Sequence, residues 1–222
     1  MTSHVLIIET ATEDGSVAIA SGGRLAAEVA FASRDPDTGA RTESLAPALT
    51  KLLVASGLRA SDLTAVVCSA GPGGFTSLRA AAALAKGVCA VVGIPMFAAP
   101  SLAVLAWSSG VAEGRYIAAM AAGRNEWFAA DVAIDSRGRA NVDGPVVLGR
   151  AELEARAART NARLIGRAMD VEAVARAAAV VPHLDEVMSA GAVDLDSWEP
   201  EYGRLAEAQV KWEAAHGRPL MA

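Results

Sequence analysis

The chain has 222 residues, of which 53% are hydrophobic, and a formal net charge of −5 at pH 7. A chain of this length and composition can form one large domain or two small lobes around a sizeable core. The negative charge argues against a protein that binds a nucleic acid backbone unaided, because phosphates repel such a surface.

The chain begins with three predicted strands. Val5–Ile8 is apolar on both faces, as a central strand covered on two sides would be. Ser16–Ala20 and Arg24–Ala32 follow, joined by a hairpin turn at 21–23. The short apolar run at the start has no basic region or cleavage pattern, so we expect no signal peptide.

The turn between the first two strands is polar, with Glu9, Thr10, Thr12 and Asp14. A strand, a turn with carboxylates and a hairpin resemble the start of the actin-like, sugar-kinase-like ATPase folds, and this resemblance implies that the first acid lies near a metal–nucleotide complex. The other interpretation is that these side chains cap and solvate the turn. We favour the second, since no lysine or further glycine loop completes a nucleotide site.

A loop at 33–40 precedes a helix predicted from Thr42 to Ser56, which Gly57 ends. Leu45, Leu49, Leu52 and Leu53 form a stripe at helical spacing. The simplest expectation for such a stripe is that it packs on the sheet of its own domain.

Segment 64–95 organises the chain: a buried strand at Ala65–Cys68, a glycine-rich loop, and a helix of about four turns from Thr76. The loop is either a tight turn or an anion cradle. The cradle residues would be Gly71, Gly73, Gly74 and Thr76. No Gly-Lys-Ser/Thr follows, so this is not a P-loop, and the dinucleotide fingerprint lacks its third glycine.

A strand at Met96–Ala98 and a helix from about Pro100 complete the first predicted lobe, 1–108. The second lobe, 109–222, then has several strands and short helices. We expect strands at Tyr116–Met120, Glu126–Ile134, Val146–Leu148 and Ala162–Gly166, and helices at Glu152–Arg159, Val171–Ala178, Pro182–Ala190 and Leu205–Ala222. Cys68 and Cys89 fall in a strand and a helix, so both are expected to be packing residues rather than a disulfide.

Segment 71–79 reads GPGGFTSLR, and AKG at 85–87 and GIP at 93–95 follow it. This pattern resembles the GPGSFTGLR…AKG…GIP signature of the TsaB (YeaZ) family, with Gly74 and Ser77 as small-for-small departures. A Pro-x-Tyr-x-Arg element at 200–204 is also similar to that family. Arg41, Ala121, Gly123 and Arg167 stand where relatives carry other residues.

The resemblance implies an α/β fold of the actin-like, sugar-kinase-like ATPase type, with two lobes of mixed sheets flanked by helices. It also implies a non-catalytic, cytoplasmic subunit without a membrane segment. Such a subunit dimerises with the paralogue TsaD and acts with the ATPase TsaE. Together they support threonylcarbamoyl transfer to the adenosine 3′ of the anticodon in ANN-decoding tRNAs, and tRNA is contacted only indirectly.

The docking face implied by the resemblance consists of the two helices of the first lobe. The residues expected to contact the partner are Leu45, Leu49, Leu52, Phe75, Leu78, Ala81, Ala82 and Ala85. No catalytic, cofactor or metal residue is expected, although an adenine nucleotide at the interface is an open alternative. The three histidines are scattered and show no metal-ligand spacing.

Two further classes of function stay open. The chain could be an enzyme by itself, either a nucleotide-dependent transferase or a glycoprotease-like metallopeptidase. It could also be a scaffold that forms a homodimer through the same face.

Overall fold

Two five-stranded mixed sheets with the same strand arrangement form the frame of the molecule. The computed structural model describes residues 2–32, 45–203 and 216. Each sheet has an antiparallel three-stranded meander, to whose first strand two further strands are added in parallel. This repeated arrangement confirms the predicted α/β fold class of two mixed sheets flanked by helices.

The first sheet has the order β3-β2-β1-β4-β5. Its strands are β1 (His4–Glu9), β2 (Asp14–Ser21), β3 (Arg24–Ala32), β4 (Ala65–Ser69) and β5 (Met96–Ala99). β1 and β4 lie at the centre and are buried on both faces, as their continuous apolar runs predict.

Helices α1 (Leu45–Ser56) and α2 (Phe75–Val92) cover the outer face of the first sheet. Alternate residues of β1 divide between the two faces: Leu6 and Ile8 pack under these helices, and Val5 and Ile7 face the interior of the molecule. α2 ends at Gly93, which has φ +75° and donates its N–H to the carbonyl of Cys89. The predicted start of α1 at Thr42 lies outside the described residues.

The second sheet has the order β10-β9-β6-β7-β8. Its strands are β6 (Gly114–Gly123), β7 (Glu126–Ile134), β8 (Ala140–Gly149), β9 (Arg163–Gly166) and β10 (Val171–Glu172). Helix α4 (Arg150–Thr160) connects β8 to β9 and occupies the place that α1 has in the first sheet. One chain therefore repeats one supersecondary unit, although the second copy has no helix between its last two strands.

The space between the two sheets is filled by α3 (Ser101–Ser108), a 3₁₀ segment (Ala177–His183) and α5 (Leu184–Ser189). One apolar core runs from the inner face of the first sheet through these elements to the second sheet. The two lobes therefore share a core.

The chain returns to the first lobe after α5, where Val193 donates its N–H to the carbonyl of Met96 at 2.9 Å. Leu195 and Trp198 pack against the outer core of the same lobe. Residues 193–198 of the predicted second lobe therefore pack against the first sheet, and the lobe bounds of 1–108 and 109–222 stay a prediction. The helix predicted at Leu205–Ala222 lies in a stretch where only residue 216 is described.

The structure also corrects three predicted elements of the second lobe. Val171 starts a two-residue strand instead of a helix, because parallel pairing with β9 outweighs the helix-favouring alanines that follow. The strand predicted at Val146–Leu148 starts earlier, at Ala140, because the polar stretch before Val146 also pairs with β7. The helix predicted from Pro182 starts instead at Leu184, after the 3₁₀ segment.

α2 is long and apolar enough to cross a membrane by length and composition alone. That is weak evidence, because the core helix of a soluble protein passes the same test. Here Leu78, Ala85 and Cys89 are buried against the sheet, and Arg79 interrupts the apolar run.

Candidate functional site

The glycine loop connects β4 to α2 at the carboxyl ends of the parallel strands, where open α/β sheets bind ligands. Gly71 has φ +86°, and a Cβ added to it would lie 1.9 Å from the carbonyl oxygen of Glu201. A Cβ on Gly73 would lie 2.5 Å from the carbonyl oxygen of Ala11. These glycines therefore allow close approach of the chain's own backbone, as a tight turn requires.

The same contacts correct the predicted anion cradle at two of its four residues. Gly71 and Gly73 are buried under backbone segments of the chain itself. Gly74 is exposed, but its N–H donates to the carbonyl of Ala11 at 3.0 Å. Thr76 is exposed in the first turn of α2. Anion binding stays a prediction only for the exposed end of the loop, at Gly74 and Thr76.

A cluster of buried polar side chains lies beneath the loop: Glu9, Thr10, Ser69 and Ser101. Glu9 accepts a hydrogen bond from the Ala11 N–H at 2.7 Å through Oε1. The Thr10 N–H donates to Ser69 Oγ at 3.3 Å, and Thr10 Oγ1 donates to the carbonyl of Ser77 at 3.1 Å. The cluster therefore links the end of β1 to the start of α2, and it corrects the prediction that Glu9 and Thr10 are solvated.

Glu9 is the titratable group of this cluster. Burial raises the pKa of its carboxyl from 4.5 to about 7, while the Ala11 N–H, the Ser101 hydroxyl and the Thr10 N–H hold it down. The Ser101 hydroxyl faces the carboxyl without reaching hydrogen-bond geometry, so Glu9 Oε2 and Ser101 Oγ have no hydrogen-bond partner among the described residues. A buried acid with a pKa near neutrality is a feature of many active sites. Burial alone also raises the pKa of a carboxyl, so the surroundings of Glu9 must show whether it belongs to an active site.

A cleft of about 550 Å³ separates the lobes. Its lining includes Thr12, Gly74, Ser77, Met120, Trp127 and Arg167. Glu9 is 1% exposed and does not line this cleft. The acid and the cleft therefore do not form one site.

An ion pair between Arg167 and Asp14 joins the two lobes beside the cleft. Both side chains are partly exposed. Arg167 and Ala121, which depart from the family pattern, both belong to the cleft lining. Across the part of the chain that the structure describes, no three His, Cys, Asp or Glu side chains are grouped closely enough to hold a metal ion.

The predicted partner-binding residues divide into two groups. Leu49, Leu52, Leu78, Ala81, Ala82 and Ala85 are buried in the protein's own core. These side chains are therefore not exposed on the chain by itself, and their contact with a partner stays a prediction. Leu45 is half-buried and Phe75 is 37% exposed, so these two are the predicted residues that a partner could reach.

The outward faces of α1 and α2 carry other residues. On α2 they are Thr76, Arg79, Ala80, Ala83, Gly87, Ala90 and Val91, and on α1 they are Ala46, Pro47, Thr50, Lys51, Val54 and Ala55. Val54 is 78% exposed and Val91 is 88% exposed. The two outward faces together are called the helical face below.

The segment at 199–203 is the part of the site that the sequence analysis did not connect to the loop. The Glu201 N–H donates to the carbonyl of Ala70 at 2.7 Å, and the Tyr202 ring lies against Phe75 with centroids 4.6 Å apart. The Pro-x-Tyr-x-Arg element was the available signal, but nothing in its spacing indicates what it contacts. Its arginine, Arg204, lies outside the described residues, as does Arg41.

Comparisons with known proteins agree with this architecture. The family model described as "TsaD: tRNA N6-adenosine threonylcarbamoyltransferase" matches residues 36–194. The Escherichia coli (strain K12) protein named "tRNA threonylcarbamoyladenosine biosynthesis protein TsaB" is 29% identical over 137 residues. That alignment covers 61% of this chain and 57% of the relative's length.

Two solved structures from Pseudomonas aeruginosa share the fold. One is described as an uncharacterized protein with similarity to peptidase YeaZ, with a TM-score of 0.72 and 22% identity. It covers 91% of this chain and 100% of its own. The other is YeaZ, with a TM-score of 0.69 and 22% identity over 90% of this chain and 99% of its own.

Proposed function

Because this chain belongs to the tRNA N6-adenosine threonylcarbamoyltransferase family, we propose that it is a TsaB (YeaZ)-like, non-catalytic subunit of threonylcarbamoyladenosine synthesis. It docks onto the paralogue TsaD and acts with the ATPase TsaE. TsaD then transfers the threonylcarbamoyl group to the adenosine 3′ of the anticodon in ANN-decoding tRNAs.

The observation that carries this proposal is the sealed position of Glu9. In the actin-like fold an acid at this place would face a metal–nucleotide complex. Here its Oε1 accepts a hydrogen bond from the Ala11 N–H, and the residue is 1% exposed. A general acid or base must lie within hydrogen-bond reach of its substrate. Because the Glu9 carboxyl cannot be reached, a non-catalytic role for the chain is favoured over a catalytic one.

The helical face supports docking on physical grounds. Ala80, Ala83 and Gly87 leave the outward side of α2 short-chained, so a partner helix can approach closely. Val54 and Val91 add exposed apolar surface that a partner would cover. The overall charge of −5 fits a cytoplasmic subunit that leaves most tRNA contact to other proteins.

Reconstitution tests the proposal directly. Threonylcarbamoyl-adenylate synthase, TsaD, TsaE and an ANN-decoding tRNA are combined with and without this chain. The content of threonylcarbamoyladenosine in the digested tRNA is then measured by mass spectrometry. We expect modification only when the chain and TsaD are both present, and none with the chain alone.

Two variants make the test specific. Ala83→Glu places a charge on the helical face and should abolish modification, whereas Glu9→Gln should leave it intact. Modification of tRNA by the isolated chain would overturn the proposal. ATP turnover or metal-dependent peptide cleavage by the isolated chain would favour the enzyme classes instead.

A further inference from the structure

Three planar side chains meet at the N-terminal end of α2. The Phe75 and Tyr202 rings are tilted by 49° with their centroids 4.6 Å apart. The Arg79 guanidinium lies 5.4 Å from the Phe75 centroid, within the range of a cation–π contact. Phe75 is partly exposed and Arg79 is exposed, so the cluster borders the helical face.

Tyr202 is held in this position from both sides. Before it, Glu201 is hydrogen-bonded to the carbonyl of Ala70. After it, Gly203 has φ +70°, and a Cβ there would lie 2.5 Å from the Phe128 ring and 2.9 Å from Pro72. The C-terminal segment therefore presents the tyrosine ring in a fixed place, which lowers the entropy cost of using it in an interface.

The helical face also has an unusual charge pattern for an acidic protein. The 12 residues of α1 and the 18 residues of α2 include no Asp or Glu, whereas the chain as a whole has 25. Lys51, Arg79 and Lys86 are the charged residues of these helices. Lys86 lies near Asp194, whose pKa it helps to lower after the hydrogen bonds from Ser197 and Asp196.

This pattern favours one kind of occupant. In a two-fold homodimer each helical face would meet its own copy, and the cations of α1 and α2 would find no carboxylate on the facing helices. An anionic membrane is typically bound by about 4–8 clustered cations, more than these helices carry. The surface that complements the helical face is therefore that of a protein with carboxylates opposite Arg79 and apolar side chains opposite the rings of Phe75 and Tyr202.

We propose that Phe75, Arg79 and Tyr202 form the anchor of the docking surface, and that its occupant is a TsaD surface carrying carboxylates rather than a second copy of this chain. Aromatic residues and arginine dominate the binding energy of known interfaces. This inference rests on the proposed function. It adds Tyr202 and Arg79 to the residues predicted to contact the partner.

The test measures the dissociation constant between this chain and purified TsaD of the same organism by calorimetry. Arg79→Glu and Tyr202→Ala should each weaken binding by about 30-fold or more, the level that defines a hot spot. Tyr202→Phe keeps the ring and should bind as the unaltered chain does. Arg115→Glu, an exposed charge reversal on β6, is the matched control and should also bind normally.

Thermal unfolding of each variant separates binding from folding. Arg79 lies on an exposed helix surface, so Arg79→Glu should have the unfolding temperature of the unaltered chain. Its effect on the dissociation constant therefore tests the anchor even if Tyr202→Ala is less stable. Raising the salt concentration should weaken binding of the unaltered chain more than binding of Arg79→Ala.

The outcomes separate this inference from the proposed function. Failure of the unaltered chain to bind TsaD would contradict the proposed function. Normal binding by Arg79→Glu and Tyr202→Ala would leave that function standing and overturn the anchor. Two further results would overturn the proposed anchor. One is a homodimer in sedimentation that Arg79→Glu abolishes, and the other is binding to anionic phosphatidylserine vesicles that Arg79→Glu abolishes.

Discussion

The two lobes have the same strand arrangement, but their outer helices have very different surfaces. α4, on the second sheet, has five charged residues among 11, and Arg150 pairs with Glu154 at 2.5 Å. α1 and α2, on the first sheet, have one and two charged residues. The second lobe thus presents a solvated helix, while the first presents apolar and small side chains that a partner would cover.

The difference extends to the ends of the first strands. β1 ends in a buried acid, Glu9, whereas the corresponding end of β6 has Ala121, Ala122 and Gly123. The first lobe also receives residues 193–203, so that its loop is closed by the C-terminal segment. The first lobe therefore keeps a polar cluster in its interior, and the proposed docking surface lies on its outer face.

The largest expected effect distinguishes the two sides of α2. Ala85 is fully buried, so Ala85→Glu places a charge in the core and should lower the free energy of unfolding by about 4 kcal/mol or more. Ala83→Glu, two residues away on the exposed side, should leave stability within about 0.5 kcal/mol. Urea unfolding measures the free energy of unfolding of both variants. Equal values would contradict the assignment of Ala85 to the buried side and Ala83 to the exposed side of α2.

The pH dependence of stability tests the buried acid. Because the pKa of Glu9 is about 7 in the folded protein and near 4.5 when unfolded, the folded state holds the extra proton between these values. Stability should therefore fall as pH rises from about 4.5 to about 7, by up to about 3 kcal/mol. Glu9→Gln should remove that fall, and an unchanged profile in the variant would show that another group is responsible.

A smaller effect is expected at the glycine loop. Gly71→Ala should destabilise by about 2 kcal/mol, since φ is positive and the new Cβ would collide with the carbonyl of Glu201. Gly87→Ala is the matched control, because this helical glycine has nothing within 4 Å of an added Cβ. It should stabilise by about 0.5–1 kcal/mol. Thermal denaturation of both variants gives the comparison, and a neutral Gly71→Ala would contradict the closed loop.

The smallest expected effect concerns the ion pair between the lobes. Arg167 and Asp14 are 59% and 38% exposed, so Arg167→Ala should cost less than about 1 kcal/mol. The difference from the unaltered protein should shrink further in 1 M salt. Unfolding curves at low and high salt measure it, and a salt-independent loss of several kcal/mol would mean that the pair is more than a surface contact.

The strands of the first lobe could be predicted from sequence, because short continuous apolar runs such as Val5–Ile8 are typical of strands buried on both faces. The glycine loop and the helix after it were equally predictable. The faces of α2 were not, because alanine is compatible with both the core and the surface. The docking face implied by the resemblance placed Ala81 on the surface, and the structure buries it.

Contacts between distant segments were also beyond prediction. The Tyr202 contact with Phe75 joins residues that no periodicity relates, and the Thr10 N–H donates to Ser69, 59 positions away. The strand at Val171 forms only because β9 lies beside it. In each case tertiary packing decided what local composition left open.

Site-specific cross-linking to TsaD tests the central claim most directly. The native cysteines are buried, so Ala83→Cys and Ala155→Cys each introduce one accessible thiol, on α2 and α4 respectively, for a benzophenone photo-cross-linker. The account predicts a covalent adduct with TsaD from position 83 and none from position 155. An adduct from position 155 alone would contradict it.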